Sequence, residues 1–237
     1  MQTTNIPVLI LSGGQGTRIR HLLGDLPKPM YPVLDKPFLD FQIEYLRSFG
    51  FSDFYISSGY KSEAIETHYK SDPNVKVIKE SEPLGTGGAI LYAMQAFKED
   101  SFICMNGDSL CLIDFEAFLQ TAEKYPGQIT IALNEVDDTS RYGRVTIDVS
   151  QNVTAFLEKD PNQKYKGLIN SGIYFLRKSL FSQSKFPQVC SVEKDIFPEI
   201  LEQGKIKGWA SNAAFIDIGT PETLKEIESF VKIHKLV

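Results

Sequence analysis

Val8-Leu9-Ile10-Leu11-Ser12-Gly13-Gly14-Gln15-Gly16-Thr17-Arg18 is the stretch that decides the fold. Its first residues are all apolar, without the polar alternation of a half-exposed strand. Both faces of this strand must therefore be covered, as in a parallel sheet with helices on either side. Ser12-Gly13-Gly14 opens the strand into a loop. Working outward, Leu39, Ile43 and Leu46 recur at i, i+4 and i+7, and Gly50 stands where a helix would end. Strand-like Asp53 to Ser58, helix-like Ser62 to Tyr69 and a short strand Val75 to Ile78 follow. Ile90, Met94 and Phe97 repeat the helical spacing before apolar Ser101 to Met105. This β-α-β-α-β-α-β alternation predicts a parallel sheet flanked by helices.

Beyond about residue 125 the pattern changes. Ile129 to Leu133, Arg144 to Asp148, Val153 to Leu157 and Leu168 to Phe175 are strand-like with turn signals between them. Ser191 to Gln203 reads as helical and Phe215 to Ile218 as a last buried strand. Thr220 is placed to cap a closing helix with Pro221 at its first position, and Leu224, Ile227 and Val231 form the buried stripe. The expected class is α/β: a Rossmann-like, mostly parallel sheet flanked by helices, with a small antiparallel lobe inserted. Ligands of such sheets bind beyond the carboxyl ends of the strands. The loops after Leu11, Met105 and Phe215 are therefore where chemistry is expected.

Composition narrows the classes. With 25 Lys+Arg against 30 Asp+Glu the chain carries −5, which argues against a nucleic-acid partner. The 42% hydrophobic fraction, with 17 Gly in addition, is that of a folded soluble domain. No apolar run approaches the roughly 20 residues that span a bilayer, so no membrane association is expected. Met1 to Asn5 lacks the basic start and apolar stretch of a signal peptide. Cys104, Cys111 and Cys190 are odd in number and form no CxxC pair, which fits a reducing cytoplasm.

In the opening loop, glycines let backbone N–H groups approach an anion, and Arg18 adds a planar fork of donors. A triphosphate could sit there, although a plain strand-to-helix turn accounts for the glycines equally well. Neither the Walker A spacing nor GxGxxG is present. Next comes Leu26-Pro27-Lys28-Pro29-Met30, in which two prolines stiffen the backbone around a lysine suited to phosphate. Pro83-Leu84-Gly85-Thr86-Gly87-Gly88-Ala89 opens a helix with small residues. These either expose backbone groups that read a base edge or allow close helix packing. Glu80 and Glu82 stand just upstream; both read as solvated by default, though a carboxylate there could accept from a purine amino group.

Asn106-Gly107-Asp108 ends a parallel strand, where a carboxylate on a Gly turn suits Mg²⁺. Asp217 could supply a second carboxylate at the same point. Farther on, Arg141-Tyr142-Gly143-Arg144 opens one strand and Glu158-Lys159 closes the next, either as groups for a sugar and its phosphate or as ordinary exposed charges. Asn170-Ser171-Gly172 puts a polar break into a buried strand, which suggests a side chain turned to a ligand. No HExxH, zinc spacing or Gly-x-Ser-x-Gly elbow occurs.

Leu11 to Arg18 with Lys28, Leu84 to Ala89, Asn106-Gly107-Asp108, Arg141-Tyr142-Gly143, Glu158-Lys159, Asn170-Ser171-Gly172 and Asp217-Ile218-Gly219-Thr220 together resemble the sugar-1-phosphate nucleotidyltransferases. The order of the motifs is specific where any one alone is weak. Within that family the Leu-Pro-Lys-Pro-Met and Leu-Gly-Thr-Gly-Gly-Ala wording looks most like the short D-glycero-D-manno-heptose 1-phosphate guanylyltransferases. The thymidylyl- and uridylyltransferase segment Pro-Leu-Thr is replaced by Arg20-His21-Leu22-Leu23-Gly24-Asp25.

The resemblance implies a nucleotide-diphospho-sugar transferase fold in one domain over 1–237. About 1–125 would bind nucleotide and about 126–237 the sugar phosphate. It implies transfer of a nucleotidyl group from an NTP, GTP in the first instance, to a sugar 1-phosphate, giving a nucleotide sugar for surface polysaccharide and pyrophosphate. Arg18, Lys28 and Asp108 would be catalytic, and Asp108 with Asp217 would hold Mg²⁺, the implied cofactor. Leu11, Gly13, Gly14, Gly16, Thr17, Glu82, Gly85, Thr86 and Gly107 would meet the nucleotide, and Tyr142, Gly143, Glu158, Lys159 and Asn170 the sugar phosphate. The partners implied are these small substrates, with self-association left open. Another base and sugar, a metal-dependent glycosyltransferase of similar build and a catalytically silent sensing module are the rival readings.

Overall fold

The computed structural model describes residues 6–158, 164–182 and 185–236. In chain order the elements begin with β1 (Val8–Leu11), α1 (Arg20–Leu23), β2 (Pro32–Val33), β3 (Lys36–Pro37), α2 (Phe38–Ser48) and β4 (Phe54–Ser58). Then come α3 (Ser62–Tyr69), β5 (Val75–Lys79), α4 (Gly85–Ala93), β6 (Ser101–Asn106), β7 (Ser109–Cys111) and α5 (Phe115–Glu123). The second half holds β8 (Ile129–Val136), β9 (Arg144–Ile147), β10 (Val153–Leu157), β11 (Gly167–Arg177) and α6 (Lys178–Phe181). It closes with α7 (Phe197–Glu202), β12 (Ile206–Ser211), β13 (Phe215–Asp217) and α8 (Pro221–Ile233).

β1 lies between β4 and β6, parallel to both, with Val8 in register with Phe54 on one side and Ile103 on the other. The chain steps outward from β1 to β4 to β5, then returns to the far side of β1 as β6. That reversal leaves a crevice at the carboxyl ends of β1 and β6, where open α/β sheets bind ligands. Antiparallel β11 joins β6 and carries β8 and β9 into the same sheet of nine strands. The expected antiparallel part thus extends the main sheet, and two small two-stranded sheets sit apart from it.

The unbroken apolar run of β1 is explained by two cores. Val8 and Ile10 pack with Leu39, Ile43 and Leu46 of α2 and with Phe115 and Phe118 of α5, while Leu9 packs on the opposite face with Ile90 of α4 and Phe197 of α7. Each such buried side chain contributes roughly 1.5–3 kcal/mol relative to exposure. A third cluster seats Leu224, Ile227 and Val231 of α8 against Ile19, Phe38 and Leu110. The Thr220 cap forms as expected, as a capping box with Thr223.

Some sequence expectations need correction. Phe215 to Ile218 does not join the main sheet: β13 pairs antiparallel with β7, Asp217 opposite Ser109. The helical spacing through Phe97 breaks after Ala93 into a 3₁₀ turn, Met94–Ala96. Ser191 to Gln203 begins with a π turn, Val192–Ile196, before α7. α5 and β12 were not anticipated. The signal for α5 was present: Asp114 caps Ala117 N at 3.1 Å, ahead of buried Phe115, Phe118, Leu119 and Ala122.

Candidate active site

At the carboxyl ends of β1 and β6 lies a cleft of about 330 Å³, lined by Leu11 to Gln15, Lys28, Pro29, Glu80, Leu84 to Thr86, Asn106 and Asp108, among others. Main-chain bonds shape it. Ser12 N donates to Ser57 O at 2.7 Å, Gly107 N to Leu11 O at 2.9 Å and Glu80 N to Ser58 O at 2.8 Å. Gly107 lies outside the lining but makes the crevice: a Cβ there would come within 2.5 Å of Ser12 Oγ. Gly16 likewise lies outside it, at φ +59°, with a Cβ position 3.3 Å from the Lys28 Cβ; it lets the lysine stem pass.

Lys28 is buried to 7% exposure in a 3₁₀ turn, Lys28–Met30, set by Pro27, and its Nζ meets Asp108 Oδ2 at 2.6 Å. Burial of the stem fixes where the ammonium emerges. Of the other expected nucleotide contacts, Leu11, Gly13, Gly14, Gly85 and Thr86 line the cleft. Thr17 is exposed and outside it.

Glu82 is exposed and takes a bond from Gln188 Nε2 at 3.2 Å. Of these two glutamates it is Glu80 that lines the cleft. It is not solvated as expected but 7% exposed, accepting from Ser57 Oγ at 2.9 Å. A Cβ on Gly13 would approach Glu80 Oε1 to 2.7 Å, so Gly13 is what admits this carboxylate.

The glycines of α4 serve the competing role considered above, close packing, but against a different partner. Gly87 N and Gly88 N both donate to Cys190 O, at 2.9 and 3.2 Å, and Cβ atoms at Gly85, Gly87 or Gly88 would collide with the 188–190 segment. Those helix-start donors are spent on the protein itself. Thr86 Oγ1 bonds Glu193 Oε2 at 3.1 Å and accepts from Val192 N at 2.9 Å, so this wall of the cleft is strapped from outside.

Beside Asp108 lies Asp217. Ile218 N donates to Asp108 O at 2.9 Å, so the two segments are in backbone contact, although Asp217 itself lies outside the residues lining the cleft. Gly219 N donates to Asp217 Oδ1 at 2.7 Å, and Tyr142 Oη donates to Oδ2 at 2.6 Å with Arg141 Nη2 at 3.3 Å. Burial first, then the Asp217 carboxylate, pushes the Tyr142 phenol well above its usual range, so it stays a neutral donor. Arg18 is exposed but reaches this side, its Nη2 3.4 Å from where a Gly219 Cβ would stand.

Among the described residues no group of three or more His, Cys, Asp or Glu is placed to hold a metal. Two aspartates on segments in backbone contact nonetheless supply the donor type that suits Mg²⁺, which takes one or two carboxylates and fills its other positions with water and phosphate oxygens. Asp217 is already oriented by its three donors, and Asp108 by Lys28.

Glu158 is exposed, just past the Leu157–Arg144 register pair and thus next to Gly143, whose Cβ would lie 3.0 Å from Leu157 O. Lys159 lies outside the described residues. Asn170 marks a bulge in β11: its Oδ1 accepts from Gly172 N at 2.9 Å and its Nδ2 donates to Tyr174 Oη at 2.9 Å. The polar break is therefore accounted for by the bulge, with Gly172 at φ +74° pressed on the Asn106 side chain. The cysteines are buried, and burial pushes Cys111 up to about 12 and raises Cys104 and Cys190, so none offers a thiolate. Among the described residues no helix is long and apolar enough to cross a membrane.

The chain resembles known proteins along nearly its whole length. Residues 7–233 match the profile of the nucleotidyl transferase family. The D-glycero-α-D-manno-heptose 1-phosphate guanylyltransferase of Aneurinibacillus thermoaerophilus is 36% identical over 223 residues, 93% of this chain and 96% of that one. Its namesake from Campylobacter jejuni is 37% identical over 217 residues, covering 90% and 95%. The crystal structure of HddC from Yersinia pseudotuberculosis superposes with a TM-score of 0.85 at 36% identity, over 94% of this chain and 98% of that one. HddC complexed with GMP-PN superposes at 0.84 with the same coverage.

Proposed function

The chain belongs to the nucleotidyl transferase family, and from that premise we propose that it joins GTP and D-glycero-α-D-manno-heptose 1-phosphate into a GDP-heptose, releasing pyrophosphate. The observation that carries the choice of base is Glu80, a buried carboxylate in the wall of the cleft. An ionised carboxylate only accepts hydrogen bonds. Guanine presents two adjacent donors, N1–H and the 2-amino group, along one edge; adenine and cytosine present a ring-nitrogen acceptor there, and uracil flanks its one N–H with carbonyls. The relatives and HddC with its GMP-PN complex support the same base, and the relatives' names support the heptose. The GDP-heptose is proposed to serve as a sugar donor for surface polysaccharide.

In the reaction a phosphate oxygen of the sugar 1-phosphate attacks the α-phosphorus of GTP in line. The bond to the β-phosphate breaks, its electron pair leaving with pyrophosphate. The protein's part is alignment, worth about 7–11 kcal/mol for well-oriented reactants, and charge placed where it develops. Lys28, held from a stiff turn, faces the reacting phosphates. Arg18, at the open rim, takes the triphosphate. Gly13 and Gly14 let backbone approach the nucleoside, beside Gly85 in the cleft wall. Asp108 and Asp217 would hold Mg²⁺, with Tyr142 fixing the Asp217 carboxylate. Bound there, the ion would neutralise charge on the transferring phosphate. Glu158 and Lys159 are assigned to the sugar hydroxyls and the sugar phosphate.

The test is pyrophosphate release with Mg²⁺, crossing the common NTPs with heptose, mannose, glucose and N-acetylhexosamine 1-phosphates. Turnover confined to GTP and the heptose phosphate is expected. Turnover with UTP or CTP refutes the base, and preference for another sugar refutes the heptose. GTP binding without turnover makes the protein a sensing module.

A further inference from the structure

We infer that Gln42, in the middle of α2, is a positioning residue for the transfer step: it sets the turn that presents Asp108. The inference rests on the guanylyl-transfer reading. Gln42 is fully buried, and its Nε2 donates both to Asn106 O at 2.9 Å and to Ser109 O at 2.6 Å. Those carbonyls flank Gly107-Asp108, so one side chain grips the turn on both sides of the carboxylate. Only the nitrogen end of an amide can serve two acceptors, which fixes the orientation of the group.

The opposite end argues that this grip is more than stability. Gln42 Oε1 is buried and has no hydrogen-bond partner among the described residues. An unsatisfied buried acceptor destabilises a fold; an apolar side chain of the same length would avoid that cost while giving up the donor to the two carbonyls. What the glutamine adds is geometry. Two other anchors reach the same turn: Gly107 N bonds Leu11 O and Asp108 O accepts from Ile218 N, each at 2.9 Å. With Gln42 in place the backbone around Asp108 is tied to α2, to β1 and to the residue after β13. The carboxylate of Asp108 is left to turn only about its own side-chain bonds, with Lys28 at 2.6 Å.

The experiment compares Gln42→Met, which keeps length and loses the donors, with the unaltered protein. Displacing a reacting group by about 1 Å can cost about 100-fold in rate. The expected result is a kcat lower by about 10- to 100-fold, a KM for GTP changed by less than about twofold and a higher Mg²⁺ requirement for half-maximal rate. Asn106 O and Ser109 O lose a donor while an unpaired acceptor is removed, so the thermal midpoint should change little, and the Ile218 amide, whose acceptor is Asp108 O, should exchange its hydrogen faster. An unchanged kcat, an unchanged Ile218 exchange rate, or a loss of kcat that tracks a raised KM and a lowered midpoint overturns the inference. If Gln42→Met does not fold, the same readings on Gln42→Asn decide, since that amide is one methylene short of spanning both carbonyls. If the unaltered protein turns over no nucleotide, the functional reading has failed, and the Ile218 exchange still decides whether Gln42 holds the turn.

Discussion

Asp108 is gripped through the main chain on either side of it and by a buried lysine, whereas Asp217 is oriented largely by side chains reaching it from 75 residues away in the chain. The first arrangement grows out of the parallel strands around β1. The second spans two segments, the stretch before β9 and the end of β13, that meet only once the antiparallel half has folded. Around Asp108 the ties that a substitution can reach are Gln42 and Lys28, while the remaining ones are main-chain bonds. Side-chain anchoring depends on single hydroxyl and guanidinium groups, each worth the modest energy of one hydrogen bond.

The sharpest way to break this contrast is Asp108→Asn. It keeps the shape and the grip of Gln42 while removing the charge. Turnover is expected to fall by about 1,000-fold or more, several kcal/mol of charge stabilisation, with the thermal midpoint nearly unchanged. Near-normal pyrophosphate release would refute the assigned role.

Glu80→Gln probes the nucleotide wall on the same side. One acceptor for two guanine donors becomes a mixed donor and acceptor. Loss of a charge-assisted bond of about 1.5–3 kcal/mol predicts a GTP kcat/KM lower by about 10- to 150-fold, with UTP gaining relative to GTP. An unaltered GTP preference would place base recognition elsewhere.

The smallest effect is expected on the other flank. Tyr142→Phe frees Asp217 Oδ2 from a 2.6 Å bond but leaves Gly219 N on Oδ1 and Arg141 on Oδ2. A loss of about 0.5–1.5 kcal/mol corresponds to a rate lower by about 2- to 13-fold. A drop as large as that of Asp108→Asn would erase the distinction between the two flanks.

Local sequence made much of this legible. The strands β1, β4 and β5 and the helices α2 and α3 announce themselves by apolar runs and by i, i+4 spacing, because each buries faces against near neighbours. Lys28 and Asp108 stood out because prolines and a glycine frame them. Glu80 was misread, since nothing in Lys79-Glu80-Ser81-Glu82 says which carboxylate turns inward. That choice is made by the β4–β5 register, which sets Glu80 beside the end of β4, and by the missing side chain of Gly13. That β13 pairs with β7 outside the main sheet is not legible, because a short buried strand carries no record of its partner. The bulge at Asn170 is likewise invisible in the sequence, because it arises only from pairing β11 with β8.

By itself the sequence determined the α/β class and the crevice beyond Leu11 and Met105, and it singled out the lysine and two aspartates to which phosphate and metal roles are proposed. These follow from periodicity and from residue chemistry, which act over a few positions. Only the tertiary structure decided which glutamate enters the cleft, which helix holds the Asp108 turn and what orients Asp217. Each of those depends on contacts between segments tens of residues apart, and their geometry exists only after the sheet has set its strand order.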